Sequence, residues 1–292
     1  MLPLTSPARR RPRATATSAL SVPPTVSIII PAYNEQATIE RCLLAAVDQT
    51  VAAHEIIVVD NNSTDATTAL ARRVQREHPD APITVLEQSD RQGIIPTRNR
   101  GFAAATGTIL GRIDSDTVIA PDWVERVIEA LDRPEIAAVS GPTGYYDLPF
   151  RPAPHISDDV ARRLLFRIGA RQPFLIGCNM AMRAAAWHAI ESAACHDHDD
   201  LFHEDIDLAI HLSRTSRQIA YDPAVRADIS ARRLATSPKE FRFYTARFDR
   251  TYASHGISNR WDLRAPEVLL RAVHWWTRAL RVVAPASGTT TV

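Results

Sequence analysis

Lysine is nearly absent from this chain: Lys239 stands alone, and arginine carries the rest of the positive charge. We read that as coding bias with no mechanism attached. Cysteine is also scarce, with Cys42, Cys178 and Cys195 far apart and no C-x-x-C pair. That excludes a disulfide framework and a zinc ribbon, and points to a reducing compartment. Net charge is only +1, so no global field draws the protein to nucleic acid. No run of 18 apolar residues occurs, so no membrane-spanning helix is expected. The first acid is Glu35; residues 1–24 hold Arg9, Arg10, Arg11 and Arg13 among Ser, Thr and Pro. That stretch lacks the apolar segment of a secretory signal and is expected to be a disordered basic tail.

What is present is a globular composition, 45% hydrophobic and 23% charged over 292 residues, enough for a substantial core. Short runs rich in β-branched residues read as buried parallel strands: TVSIII (25–30), EIIVVD (55–60), ITVLEQ (83–88) and GTILGRID (107–114). Between them, Ile39, Cys42, Leu43, Ala46 and Val47 share one helical face, and Ala66, Leu70 and Val74 another. Strand, helix and strand in alternation predict an α/β fold with a mostly parallel sheet and helices on both faces. Ligands of such sheets bind at the carboxyl ends of the strands.

Those ends are where the polar residues fall. The first strand leads into PAYNE (31–35), the second into DNNSTD (60–65) and the fourth into DSD (114–116), with RQGIIPTRNRGFAAATG (91–107) between. Each alone is explained by a turn or a helix cap. Their common placement at one sheet edge is not, because independent turns have no reason to gather acids there. Asp122, after Pro121, only starts the next helix.

SIIIPAYNE, IIVVDNNSTDATT, TRNRGFAAATGTILGRIDSD and HEDIDLAIHL, in that order, resemble the signatures of family 2 glycosyltransferases, inverting enzymes of GT-A fold that use nucleotide sugars. The resemblance covers about 25–230. It implies a GT-A domain over 25–236, with 25–120 holding the nucleotide sugar and 121–236 the acceptor. By resemblance, Pro31, Ala32 and Tyr33 line the base pocket, Glu35 lies near the ribose, and Asp60 accepts a hydrogen bond from the nucleobase. Arg98 approaches the base or diphosphate, Asn99 fixes its loop, Asp114 holds the ribose, and Asn61 and Ser115 complete the donor site. Asn61 stands where many relatives carry a second acid. Asp116 binds a divalent cation, Mn²⁺ or Mg²⁺, of the kind that neutralises a departing diphosphate. Asp205 is the implied base, Glu204 binds acceptor or orients the loop, and Gly177 and Asn179 sit closest to the reacting sugar. The implied activity is transfer from a nucleoside diphosphate sugar, UDP foremost, to a hydroxyl of a polysaccharide, glycolipid or lipid carrier.

Other readings stay open on the residues alone. A helix dipole also favours Glu204 and Asp205 in a first turn. His196, His198 and His203 offer zinc-type donors, yet no zinc motif has their spacing, and a solvated acceptor-side loop accounts for them too. Arg232 and Arg233 meet the diphosphate or are simply solvated, and Tyr145 and Tyr146 stack on sugar or pack. A helical extension is expected over 237–283, whose segment 266–283 has an apolar and an arginine face and either docks or lies on a membrane. A disordered tail, 284–292, follows, and the location expected is cytoplasmic, at most peripheral on the inner face of the membrane. A catalytically silent sugar-nucleotide-binding module remains an alternative, as does a nucleotidyltransferase. The latter should carry a Gly-rich basic phosphate loop after the first strand, where this chain has PAYNEQAT.

Overall fold

A computed structural model describes residues 23–147, 159, 160, 163, 174–194, 201–232 and 236–257. The tails, His196, His198, Arg233 and segment 266–283 lie outside the described residues. The four expected strands form as β1 (Val26–Ala32), β2 (Glu55–Asp60), β3 (Ile83–Glu87) and β4 (Ile109–Ile113). They alternate with α1 (Ile39–Val47), α2 (Thr67–Glu77) and α3 (Ile94–Ala104). Then come β5 (Val118–Ile119), α4 (Trp123–Ala130), β6 (Ile136–Ser140) and β7 (Thr143–Tyr145). The chain continues through β8 (Asn179–Arg183), α5 (Ala184–Ile190), α6 (Glu204–Ser213), β9 (Gln218–Tyr221), β10 (Ala227–Ile229) and α7 (Pro238–Ser254).

Seven strands make the main sheet in the order β3-β2-β1-β4-β8-β6-β9, and β8 alone runs against its neighbours. The fold is therefore the mostly parallel α/β sheet read from the sequence, and β8 makes it a mixed one. β1 shows why both faces are covered. Ile28 and Ile30 point into a core shared with Ile39, Leu43, Val74 and Trp123, whereas Ile29 points into the other, with Phe102, Leu110, Trp187 and Leu208. Alternate residues of one strand thus feed opposite cores, and a strand buried on both sides has to be apolar throughout. On the second face α3 lies close to the sheet because position 101 is glycine; a Cβ there would stand 2.4 Å from Ile29 Cγ2.

β5, β10 and β7 form a separate, smaller sheet in the order β5-β10-β7. α7 opens with a capping box, in which Glu240 N donates to Ser237 Oγ and Ser237 N to Glu240 Oε2, and Pro238 follows the cap. It packs on α6 through Tyr252 against Ile206 and Ile210. No helix among the described residues is long and apolar enough to cross a membrane.

Candidate active site

The loops after β1 and β2 are laced together before any ligand is considered. Ser63 Oγ accepts from Asn34 N (2.9 Å), and Asn34 Oδ1 accepts from Thr64 N (2.8 Å). Asn34 and Asn62 sit at φ 53° and 60°, the left-handed region that asparagine tolerates. Within this rim Asp60 is 6% exposed, and its Oδ2 accepts from Ser63 N (3.2 Å). Its Oδ1 is buried with no hydrogen-bond partner among the described residues. A buried carboxylate oxygen without a partner is costly, and a ligand N–H would satisfy it. Of the three residues expected around a base, Pro31 and Ala32 are buried in β1, and Tyr33, 49% exposed, presents a ring.

At the end of β4 the acids form two ion-paired chains. Arg232 makes a bidentate pair with Glu35, and its Nη2 is 3.1 Å from Asp116 Oδ2. Arg112 Nη2 is 2.7 Å from Asp114 Oδ1, and its Nη1 is 3.3 Å from Glu204 Oε1. Ser115 lies buried between the two aspartates. Burial first, and after it the charges of Asp116, Asp114 and Glu35, push the nearby Cys42 thiol far above its usual range. Two carboxylates at a partly exposed strand end offer the oxygen donors that suit a hard divalent cation, so the residues fit the group expected at Asp116.

Glu204 and Asp205 open α6, where the helix dipole favours them. Their environments are nevertheless opposite. Glu204 is buried, and Arg112 and Arg98 overcome the cost of burial and hold it below the usual carboxylate range. Asp205 is half-buried and has no guanidinium of its own; its Oδ2 accepts from Gly177 N (2.9 Å) and its Oδ1 from Ile206 N (2.9 Å). Burial and, after it, the charge of Glu204 push its carboxyl up to about 6. Two adjacent carboxyls driven apart in this way divide the work: one is a fixed counter-ion, the other a group able to take a proton near neutrality. Gly177 enforces the spacing, since a Cβ there would fall 1.9 Å from Arg112 Nη1 and 3.3 Å from Asp205 Oδ2.

Several expected residues take other places. Arg98 is fully buried, bonded to Glu204 and Asn99 and flanked by Trp187 and Phe102, which corrects its expected approach to base or diphosphate. A buried guanidinium needs a carboxylate, and Glu204 supplies it. That same commitment makes Glu204 a buried counter-ion, which leaves it the loop-orienting role of the two expected for it. Asn179 is 0% exposed; its amide accepts from Trp123 Nε1 (2.8 Å) and donates to Pro142 O (3.1 Å) and Val225 O (2.9 Å). It joins β8 to its surroundings and faces no sugar. Asn61 donates to Gln88 O (2.7 Å) and Arg91 O (2.8 Å) and accepts from Gly93 N (2.7 Å), so it fixes the loop before α3 instead of the nucleoside. Tyr146 lies under Arg41, 4.7 Å from ring centroid to guanidinium carbon. His203 is buried against Tyr244 and Phe248, not in a solvated loop.

Arg112 is the residue that sequence reasoning passed over. A signal existed: it is the one charged residue in ILGRI, a strand buried at every position, and a charge buried in a strand requires partners. Asp114 and Glu204 are those partners, and together with the charge of the nearby Asp205 they hold its guanidinium charged against the effect of burial.

Comparisons with known proteins bear on this geometry. Residues 27–190, more than half of the chain, match the family model of glycosyl transferase family 2. Residues 112–287 match that of glycosyl transferase family group 2. Among curated proteins the chain is similar to glycosyltransferase AglE of Haloferax volcanii, 34% identical over 120 residues, which are 40% of this chain and 39% of that protein. It spans less than half the length of the first curated relatives it matches, 39% and 45%. Among solved structures it is similar to a mannosyltransferase of Pyrobaculum calidifontis in complex with GDP-Man and Mn²⁺, with a TM-score of 0.64 and 22% identity over 92% of this chain and 77% of that one. It is also similar to glucosyl-3-phosphoglycerate synthase of Mycobacterium tuberculosis in complex with Mn²⁺, UDP and its product (TM-score 0.53, 22% identity, 81% of each chain). At that identity the structural likeness establishes the fold.

Proposed function

The chain belongs to glycosyl transferase family 2, and from that premise we propose that it is a metal-dependent inverting glycosyltransferase. It moves a sugar from a nucleoside diphosphate sugar, UDP foremost, to a hydroxyl of a saccharide or lipid-linked acceptor. One observation carries this reading: the buried Arg112 joins Asp114, at the end of β4, to Glu204, at the start of α6. A donor-binding strand end and a proton-accepting helix start are thereby held as one site.

Asp60 Oδ1 accepts a hydrogen bond from the base, and Tyr33 covers it. Asp116, with Asp114 beside it, would hold Mn²⁺ or Mg²⁺. Such a cation, when bound, screens the charge that develops on the diphosphate. Arg232, half-exposed and already at Asp116, turns from its carboxylates to the diphosphate oxygens. On the acceptor side, the Asp205 carboxylate takes the proton of the attacking hydroxyl. The new bond forms at the anomeric carbon as its bond to the diphosphate oxygen breaks, with inversion and with the electron pair leaving on the diphosphate. A base with its pKa near the working pH contributes about 10² to 10⁴ in rate. The Gly177 N–H orients that carboxylate, and Glu204, locked between two guanidiniums, keeps it from pairing with Arg98.

Isothermal titration with Mn²⁺ and a panel of UDP- and GDP-sugars tests the donor half, and product formation by Asp205→Asn tests the base. The expected result is donor binding abolished by Asp116→Ala and retained by Asp205→Asn, with transfer lost in both. Undiminished transfer by Asp205→Asn removes the base assignment, and failure of every nucleotide sugar to bind removes the function.

A further inference from the structure

One turn beyond Glu204, α6 carries a second cluster that the proposed reaction does not use. Asp207 and His211 stand four residues apart and so share a helix face. His255, the C-cap of α7, closes on them from the neighbouring helix. Its Nε2 is 2.6 Å from Asp207 Oδ1, and His211 Nε2 is 3.6 Å from the same oxygen. The three donor atoms all lie within 4.8 Å of one another. Asp207 is buried, 3% exposed, and the two imidazoles meet edge to face at 4.9 Å. We propose that Asp207, His211 and His255 form a binding site for a divalent transition-metal ion of the zinc class, made of different residues from the cation site at Asp116.

The donor chemistry separates the two sites. Two imidazole nitrogens and one carboxylate suit borderline ions such as Zn²⁺, whereas the all-oxygen set of Asp114 and Asp116 suits Mg²⁺ or Mn²⁺. Zinc bonds to nitrogen and oxygen of about 2.0–2.2 Å put tetrahedral neighbours roughly 3.4 Å apart. The separations of 2.6 and 3.6 Å straddle that value. An i, i+4 pair is also the spacing by which one helix can offer two ligands to a single zinc ion. Three protein ligands leave a fourth position for water. An ion held there fastens the end of α7 to the helix that presents Glu204 and Asp205, adding to the apolar contact of Tyr252 with Ile206 and Ile210.

The test uses the full chain, stripped with a chelator and free of nucleotide. Co²⁺ is titrated as a visible probe, Zn²⁺ as its competitor, and the melting temperature is followed with Zn²⁺. We expect one equivalent of Co²⁺ to give d–d absorption bands that Zn²⁺ abolishes, and Zn²⁺ to raise the melting temperature. The bands should persist in Asp116→Ala and weaken in His211→Ala and His255→Ala, with Co²⁺ affinity falling by at least about tenfold. Wild-type protein with neither bands nor a Zn²⁺-dependent shift overturns the proposal, leaving a plain Asp207–His255 hydrogen bond. So do bands that vanish in Asp116→Ala and survive in both histidine variants. Absence of both wild-type readings, or loss of the bands in Asp116→Ala, counts against the site even if a histidine variant fails to fold.

Discussion

Replacing Glu204 by glutamine removes a charge while keeping the shape of the side chain, and it isolates what the buried ion network contributes. Arg98 and Arg112 have side chains 0% and 5% exposed, and Glu204 is bonded to both. Arg112 retains Asp114 in the variant, but Arg98 retains neutral oxygens, those of the introduced glutamine, of Asn99 and of the carbonyl of residue 204. Breaking a buried pair by removing one partner costs about 3–5 kcal/mol. For a domain of this size class each kcal/mol lowers the melting point by roughly 2–4 °C, so Glu204→Gln should melt roughly 6–20 °C below wild type. The deficit should depend on pH in a definite direction. The folded-state pKa of Glu204 is depressed, so its contribution is complete above the ordinary glutamate value of about 4.3 and is lost as pH falls through the lower folded-state value. Scanning calorimetry of the two proteins from neutral to acid pH should therefore show a gap that narrows below pH about 4. Activity gives a second reading. Asp205 must be ionised to accept a proton, so the wild-type rate should fall on an acid limb centred near pH 6. The charge of Glu204 is one cause of that raised value, and its removal should move the limb to lower pH. Melting within about 2 °C of wild type at neutral pH would falsify the network's role; an unmoved acid limb would separate Glu204 from Asp205.

Three further substitutions probe the rest of the site. Gly177→Ala drives a methyl group into Arg112 and against Asp205, and a displacement of about 1 Å at a reacting group can cost on the order of 100-fold in kcat; titration should show nucleotide binding intact, and an unchanged kcat refutes the positioning role. Arg232→Ala removes the cation that occupies Asp116, so nucleotide-free Mn²⁺ should bind more tightly, by up to about fivefold for a half-exposed pair, while Mn²⁺–UDP binds more weakly; the same sign for both ligands contradicts the exchange. Asp60→Asn takes the charge from the buried oxygen offered to the base, and nucleotide affinity should drop by roughly ten- to a hundredfold, the worth of a hydrogen bond to a charged group. Equal affinity by titration places the base elsewhere.

What could be read from the sequence was what depends on neighbours along the chain. The alternation of Ile28, Ile29 and Ile30 between two cores, the stripe of Ile39, Cys42 and Leu43, and the acids after β2 and β4 are local patterns, because strand and helix periods are set by the backbone alone. Even the capping box of α7 is spelled out in four adjacent residues. The partners of buried charges are not local. Arg98 and Glu204 are 106 residues apart, and nothing near either one names the other. Asn179 beside Gly177 looked like a sugar ligand, and only the packing of Trp123 against it showed that its amide was already used. The same holds for His255, which meets Asp207 because α7 folds back on α6. The sequence by itself therefore determined the four parallel strands β1 to β4, the helices between them and the strand ends where chemistry gathers. Tertiary structure decided which acid is neutralised and which is left to act, since a buried charge is governed by whatever partner the fold brings within about 4 Å.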